Sequence, residues 1–177
     1  MKKTTVILLL ILTFFIVFYL QANFFQMFTI AGIMPNLFVI FILVIGLSSN
    51  ATVGILFGTI SGLMIDFVYS KTIGITAVML CVIGYLGAYF DRNFSKENKI
   101  TIIIMSALAT ILFELGYYLL SSVIIGFDLE MLYFAKILAV EVIYNILLVI
   151  IFYPLIQKAG YTMDRAFKRN NILTRYF

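Results

Sequence analysis

Apolar runs long enough to cross a lipid bilayer follow one another along almost the whole chain, and this limits the possible folds more than any single motif does. A hydrocarbon core about 30 Å thick is spanned by roughly 20 helical residues. Of the 177 residues, 64% are hydrophobic and 11% are charged, and the mean hydropathy is +1.15. So little polar surface cannot cover a soluble globule, and no room is left for a separate soluble domain. Barrel strands alternate apolar and polar over about ten residues, whereas these runs are apolar all round. The expected fold is therefore all-α, a polytopic membrane protein with residues 1–177 forming one integral membrane domain.

Six transmembrane helices are expected, at Thr4 to Leu20, Asn36 to Ser48, Ala51 to Phe67, Thr72 to Phe90, Ile100 to Ser122 and Tyr133 to Ile156, with a basic tail over 157–177. The second is short, so Leu37 to Phe67 is either two tightly connected helices, with Ser48-Ser49-Asn50 as turn and N-cap, or one broken helix. The first run follows Lys2 and Lys3, but it exceeds a signal-peptide core of about 7 to 15 residues. Gln21-Ala22-Asn23-Phe24 also makes a poor cleavage site, so a retained helix is expected. Pro154 should kink or end the last helix.

Lys and Arg concentrate at the N-terminus (Lys2, Lys3), after the fourth span (Arg92, Lys96, Lys99) and in the tail (Lys158, Arg165, Lys168, Arg169, Arg175). By the positive-inside rule these segments lie in the cytoplasm, with both termini inside the cell membrane. The pI of 9.2 and net charge of +4 then reflect topology, and no nucleic-acid partner is expected. With no Trp, Tyr19, Tyr69, Tyr133 and Tyr153 are candidate interfacial anchors. The chain has no His and a single Cys, Cys81, which removes the Ser-His and Cys-His nucleophiles and any cysteine-based metal cluster. Neither a metal nor a cofactor is expected.

Gly54, Gly58, Gly62 and Asp66 stand four apart. Four residues turn a helix by about 400°, so the row keeps to one broad face that has no side chains to fill it. A second helix should cross closely there, from this chain or from a partner. Asp66, near the outer end of the third span, meets the unfavourable end of the helix dipole. It needs a donor from Lys71, a following backbone amide or an incoming helix.

Glu114 and Glu141 each sit about 12 Å from the outer ends of their helices. At mid-membrane an acid costs about 2.5 to 3.5 kcal/mol. If the last two spans face each other, both carboxyls share one level, with Tyr117 and Asn145 a turn away. One protonated acid then donates a hydrogen bond, or Lys136 neutralises Glu141. The pair reads as an outward polar cavity or as interhelical hydrogen bonding. The tail interleaves aromatics with Lys158, Arg165, Lys168, Arg169 and Arg175, as a membrane-surface helix or a segment that only sets orientation.

Pro35-Asn36, the row Gly54, Gly58, Gly62 and Asp66, then Gly74 and Gly84-Tyr85-Leu86-Gly87 together resemble the bacterial rod-shape-determining MreD family. The resemblance implies a non-enzymatic inner-membrane scaffold of the elongation machinery that supports lateral peptidoglycan synthesis and uses Pro35, Asn36, the glycine row, Asp66 and Gly74 for helix packing or partner binding. The implied partners are MreC and, through it, an actin-like filament protein, a SEDS glycosyltransferase and a class B penicillin-binding protein, with homodimerisation open. The family's fold is similar to the S-components of energy-coupling-factor vitamin transporters, which makes a vitamin-binding subunit the alternative. S-components carry an Ala-x-x-x-Ala pattern in the first helix, and Thr4 to Leu20 has neither Ala nor Gly. A membrane hydrolase using Asp66 and Asp128 is a third hypothesis, and it requires the two carboxyls to share a proton.

Overall fold

The computed structural model describes residues 3–70, 72–91, 98–126 and 130–167. Helix α1 (Lys3–Tyr19) runs without a break into a π turn (Leu20–Phe24) and the short α2 (Phe25–Met27). Then come α3 (Leu37–Ser48), α4 (Ala51–Tyr69), α5 (Ile75–Asp91), α6 (Lys99–Ile125) and α7 (Met131–Phe167). No strand occurs among the described residues. An isolated bridge joins Ile30 and Ile33 across a tight turn, where Ala31 and Gly32 take φ of 55° and 81°.

Four segments are long and apolar enough to cross a membrane: Lys3–Met27, Ala51–Tyr69, Lys99–Ile124 and Met131–Phe167. Leu37–Ser48 and Ile75–Phe90 are apolar but shorter. At 1.5 Å per residue α3 measures about 18 Å, well below the hydrocarbon thickness. Its surroundings make this tolerable. Every residue of α3 except Val44 is buried, so the short helix is surrounded by protein.

Residues 37–69 form two helices, with Ser49 and Asn50 between them. Asn50 takes the N-cap position of α4 without a capping bond from its side chain. Its carbonyl instead accepts the amides of Val53 and Gly54.

Helices α4 and α5 pack antiparallel, with backbones almost touching. A Cβ at Gly54 would lie 2.5 Å from the Gly84 carbonyl oxygen and 3.2 Å from the Gly46 Cα. Three helices, α3, α4 and α5, therefore meet at one point where each contributes a glycine. Lower in the same seam, Gly58 faces the Leu80 carbonyl and Gly62 faces the Ala77 backbone. Without a hydrophobic drive between helices in lipid, such close van der Waals contact is what holds them together. Leu80, Ile83, Val39, Ile42 and Ile45 fill the adjoining core.

Helix α7 corrects one expectation. It passes through Pro154 and ends at Phe167, well beyond Ile156, for a length of about 55 Å. Proline removes the amide that would bond the Ile150 carbonyl, yet the helix past it is held by packing. Gly160, Met163 and Ala166 are buried, and a Cβ at Gly160 would stand 3.1 Å from Ser48 Oγ. Part of the expected tail is thus a helix packed against the end of α3.

Candidate functional site

The glycine seam delivers Asp66 to the start of α5. Asp66 is fully buried, and its Oδ2 accepts the amides of Gly74, at 2.8 Å, and Ala77, at 3.2 Å. The first amides of a helix have no partner within it, and normally the N-cap side chain accepts one of them. Gly74 holds the N-cap position, where its carbonyl accepts the amide of Val78. It has φ of +113° and no side chain to offer, so the carboxylate comes from α4. This corrects the expected electrostatics. Asp66 lies in the last turn of its own helix but against the positive end of α5. Its second oxygen, Oδ1, is buried without a partner. Lys71, the alternative donor, lies outside the described residues.

A second polar knot holds Pro35-Asn36, where α3 begins inside the bundle. The Asn36 amide donates to Asn145 Oδ1 on α7 at 2.9 Å. The Leu37 amide donates to Gln21 Oε1 at 3.0 Å, and Gln21 Nε2 returns a bond to the Pro35 carbonyl at 2.8 Å. Asn36 Oδ1 accepts from Val39. The leading amides of α3 thereby find acceptors away from water, where an unmade bond would cost about 1–3 kcal/mol. Asn145 Nδ2 continues to Thr110 Oγ1 on α6 at 2.9 Å, and Thr110 donates to the Ser106 carbonyl. Side chains from the π turn and α7 thus converge on one dipeptide, and Thr110 of α6 braces Asn145 behind it.

Glu114 and Glu141 stand close enough to interact, and the Asn36 side chain lies near Glu141. Two carboxyls so close attract only if they share a proton or a cation. Beside them is a cavity of about 310 Å³, with walls that include Gln21, Pro35, Asn36, Thr76, Phe113 and Glu141. The expected polar members divide differently. Asn145 is fully buried as a structural tie, and Tyr117 stacks on Phe113, with centroids 6.1 Å apart. Lys136 is exposed; five residues before Glu141, it lies about 140° around the helix and does not neutralise the acid.

A model of the family described as rod shape-determining protein MreD matches residues 1–159, which include the glycine seam, both polar knots and the cavity. The chain belongs to the MreD family. Membership makes it a rod-shape-determining protein of the rod-shape complex, and its apolar helices make it a multi-pass membrane protein. No curated protein and no solved structure matches it.

In this MreD-family chain the structure unites Pro35 and Asn36 with Asn145, and Gly54, Gly58 and Gly62 with α5. It also joins Asp66 to Gly74. It separates Lys136 from the acids. Lys158 and Arg165 are exposed on the end of α7, whereas Lys168, Arg169 and Arg175 lie outside the described residues, as do Asp128, Arg92 and Lys96. Tyr19, Tyr69 and Tyr133 are exposed, and Lys99 Nζ sits 5.7 Å from the Tyr153 ring centroid.

Residue-level reading of the sequence missed Gln21, Gln26, Thr76 and Thr110. Gln21 stands at the end of an apolar run and reads as a boundary. The π turn is what aims it inward, and such turns recur at functional positions. Thr110 and Ser106, four apart in the fifth run, carry the signal of one polar helix face.

Proposed function

We propose that this chain is a non-catalytic membrane scaffold of the cell-elongation machinery. It would cross the bilayer six times with both termini in the cytoplasm, in an arrangement similar to that of S-components, with α3 and α5 as short crossings shielded by their neighbours. In this reading it binds MreC and, through it, the actin-like filament protein, the SEDS glycosyltransferase and the class B penicillin-binding protein of lateral-wall peptidoglycan synthesis. The basic end of α7 lies at the inner leaflet, whose anionic lipids favour Lys158 and Arg165.

The observation that carries the scaffold reading is the use made of Asp66. It is the one intramembrane acid in register with the glycine row, and its accepting oxygen is spent on two backbone amides. A group so engaged serves rigidity. The glycine face is likewise filled by α5, so partners must dock elsewhere. Helix α1, which buries only Val6, Leu10 and Phe14, leaves an apolar face open to a single partner helix.

Asp66→Asn separates structure from chemistry, because the amide keeps an oxygen that accepts hydrogen bonds. In rod-shaped cells depleted of their own copy, this variant is expected to restore rods at normal protein level. Rounded cells despite normal protein level would contradict the scaffold reading and favour a reactive acid.

A further inference from the structure

The cavity beside Glu141 combines two features that call for an occupant. Its volume of about 310 Å³ falls at the lower end of the range for small-molecule sites, and much of its wall is apolar, with Pro35, Phe38, Leu80 and Phe113 among the lining residues. Yet the wall also carries Glu141, only 6% exposed, and Glu141 Oε1 has no hydrogen-bond partner. A buried carboxyl with one oxygen left unpartnered is costly, and Glu114 stands close to Glu141 without lining the space. No Lys or Arg of the described residues lines the space.

We propose that this cavity binds a primary ammonium group carried on a small apolar body, with Glu141 as its counter-ion. The chemistry of the wall selects this class. A hard divalent cation needs six or more oxygen ligands, and no group of three or more metal-ligating side chains occurs among the described residues. An anion would meet the Glu141 carboxyl. An ammonium on an apolar stem satisfies both parts of the wall, since its charge meets the acid while its body lies against Phe38 and Phe113, whose ring faces also attract cations. Thr76 and Gln26 add polar groups around the same space. The ammonium can come from a soluble amine or from the ethanolamine head of a lipid. The inference does not depend on the scaffold reading, because a chain that binds no amine can still hold its partners.

The full-length protein in nanodiscs of phosphatidylcholine and phosphatidylglycerol is titrated with phenethylammonium and with neutral phenethyl alcohol, and calorimetry is the readout. The ammonium is expected to bind at least about tenfold more tightly than the alcohol, a difference of about 1.4 kcal/mol. Glu141→Gln should erase that preference, and Ala22→Leu, which fills the cavity, should abolish binding of both. Adding phosphatidylethanolamine to the nanodiscs identifies the source: competition supports the lipid head group, and no competition supports a soluble amine. The proposal is overturned if there is no saturable ammonium binding, if ammonium and alcohol bind equally, or if the preference survives in folded Glu141→Gln. Should Glu141→Gln fail to fold, undiminished ammonium binding in Ala22→Leu overturns it as well.

Discussion

Gly84→Leu is expected to abolish recovery of a folded, monodisperse protein, with Gly84→Ala already lowering the melting temperature. A Cβ at Gly84 would run into the Gly54 carbonyl, and the Gly54 Cα lies 3.2 Å from the same point. These are backbone atoms of a packed helix and cannot rotate away as a side-chain end would. Overpacking a well-filled core costs about 1–3 kcal/mol and occasionally more. Here the whole α4–α5 seam must widen, and with it go the contacts at Gly58 and Gly62 and the reach of Asp66 to α5. Size-exclusion chromatography and a melting curve in detergent read the outcome. A Gly84→Leu protein that elutes and melts as the parent does would mean that the three-glycine crossing is not a close contact.

Asp66→Ala is the second large effect. It leaves the part-buried amide of Gly74 and the buried amide of Ala77 without their acceptor. Each orphaned donor costs about 1–3 kcal/mol where it is buried, so the loss for the two is on the order of 2–6 kcal/mol. For a chain of this size the melting temperature should fall by roughly 4–24 °C, with Asp66→Asn falling less because it keeps one accepting oxygen. Hydrogen exchange should rise first at the start of α5. An equal loss in both variants would show that charge, and not capping, is what Asp66 contributes.

The two variants test one structural idea. Glycines let α4 approach α5 closely, and the approach lets a carboxylate from one helix cap the next. The positions of Gly54, Gly58, Gly62 and Asp66 made the first half legible, because a four-residue step keeps them on one helix face. The second half was hidden in pairings that no spacing encodes. Gly46 and Gly84 become partners of Gly54 only because three helices cross at one point.

A similar division holds at Pro35-Asn36. The dipeptide was visible as a helix start, because the second apolar run begins there. Its clamps come from residues 14 and 109 positions away, at places fixed by the π turn and by the docking of α7. The meeting of Glu114 and Glu141 followed from matched depth on antiparallel neighbours. The separation of Lys136 from Glu141 was also open to helix geometry, because a five-residue step points two side chains apart. The length of α7 was not, because packing of Gly160 against Ser48 overrides the stop that Pro154 signals.

The scaffold reading rests on partners, and capturing them tests it most directly. The tagged full-length chain is produced at native level in its own cells, cross-linked in the intact membrane and purified, and the bound proteins are identified. The account predicts recovery of MreC together with the SEDS glycosyltransferase or the class B penicillin-binding protein. Recovery of a transporter ATPase module without any wall-synthesis subunit would contradict it.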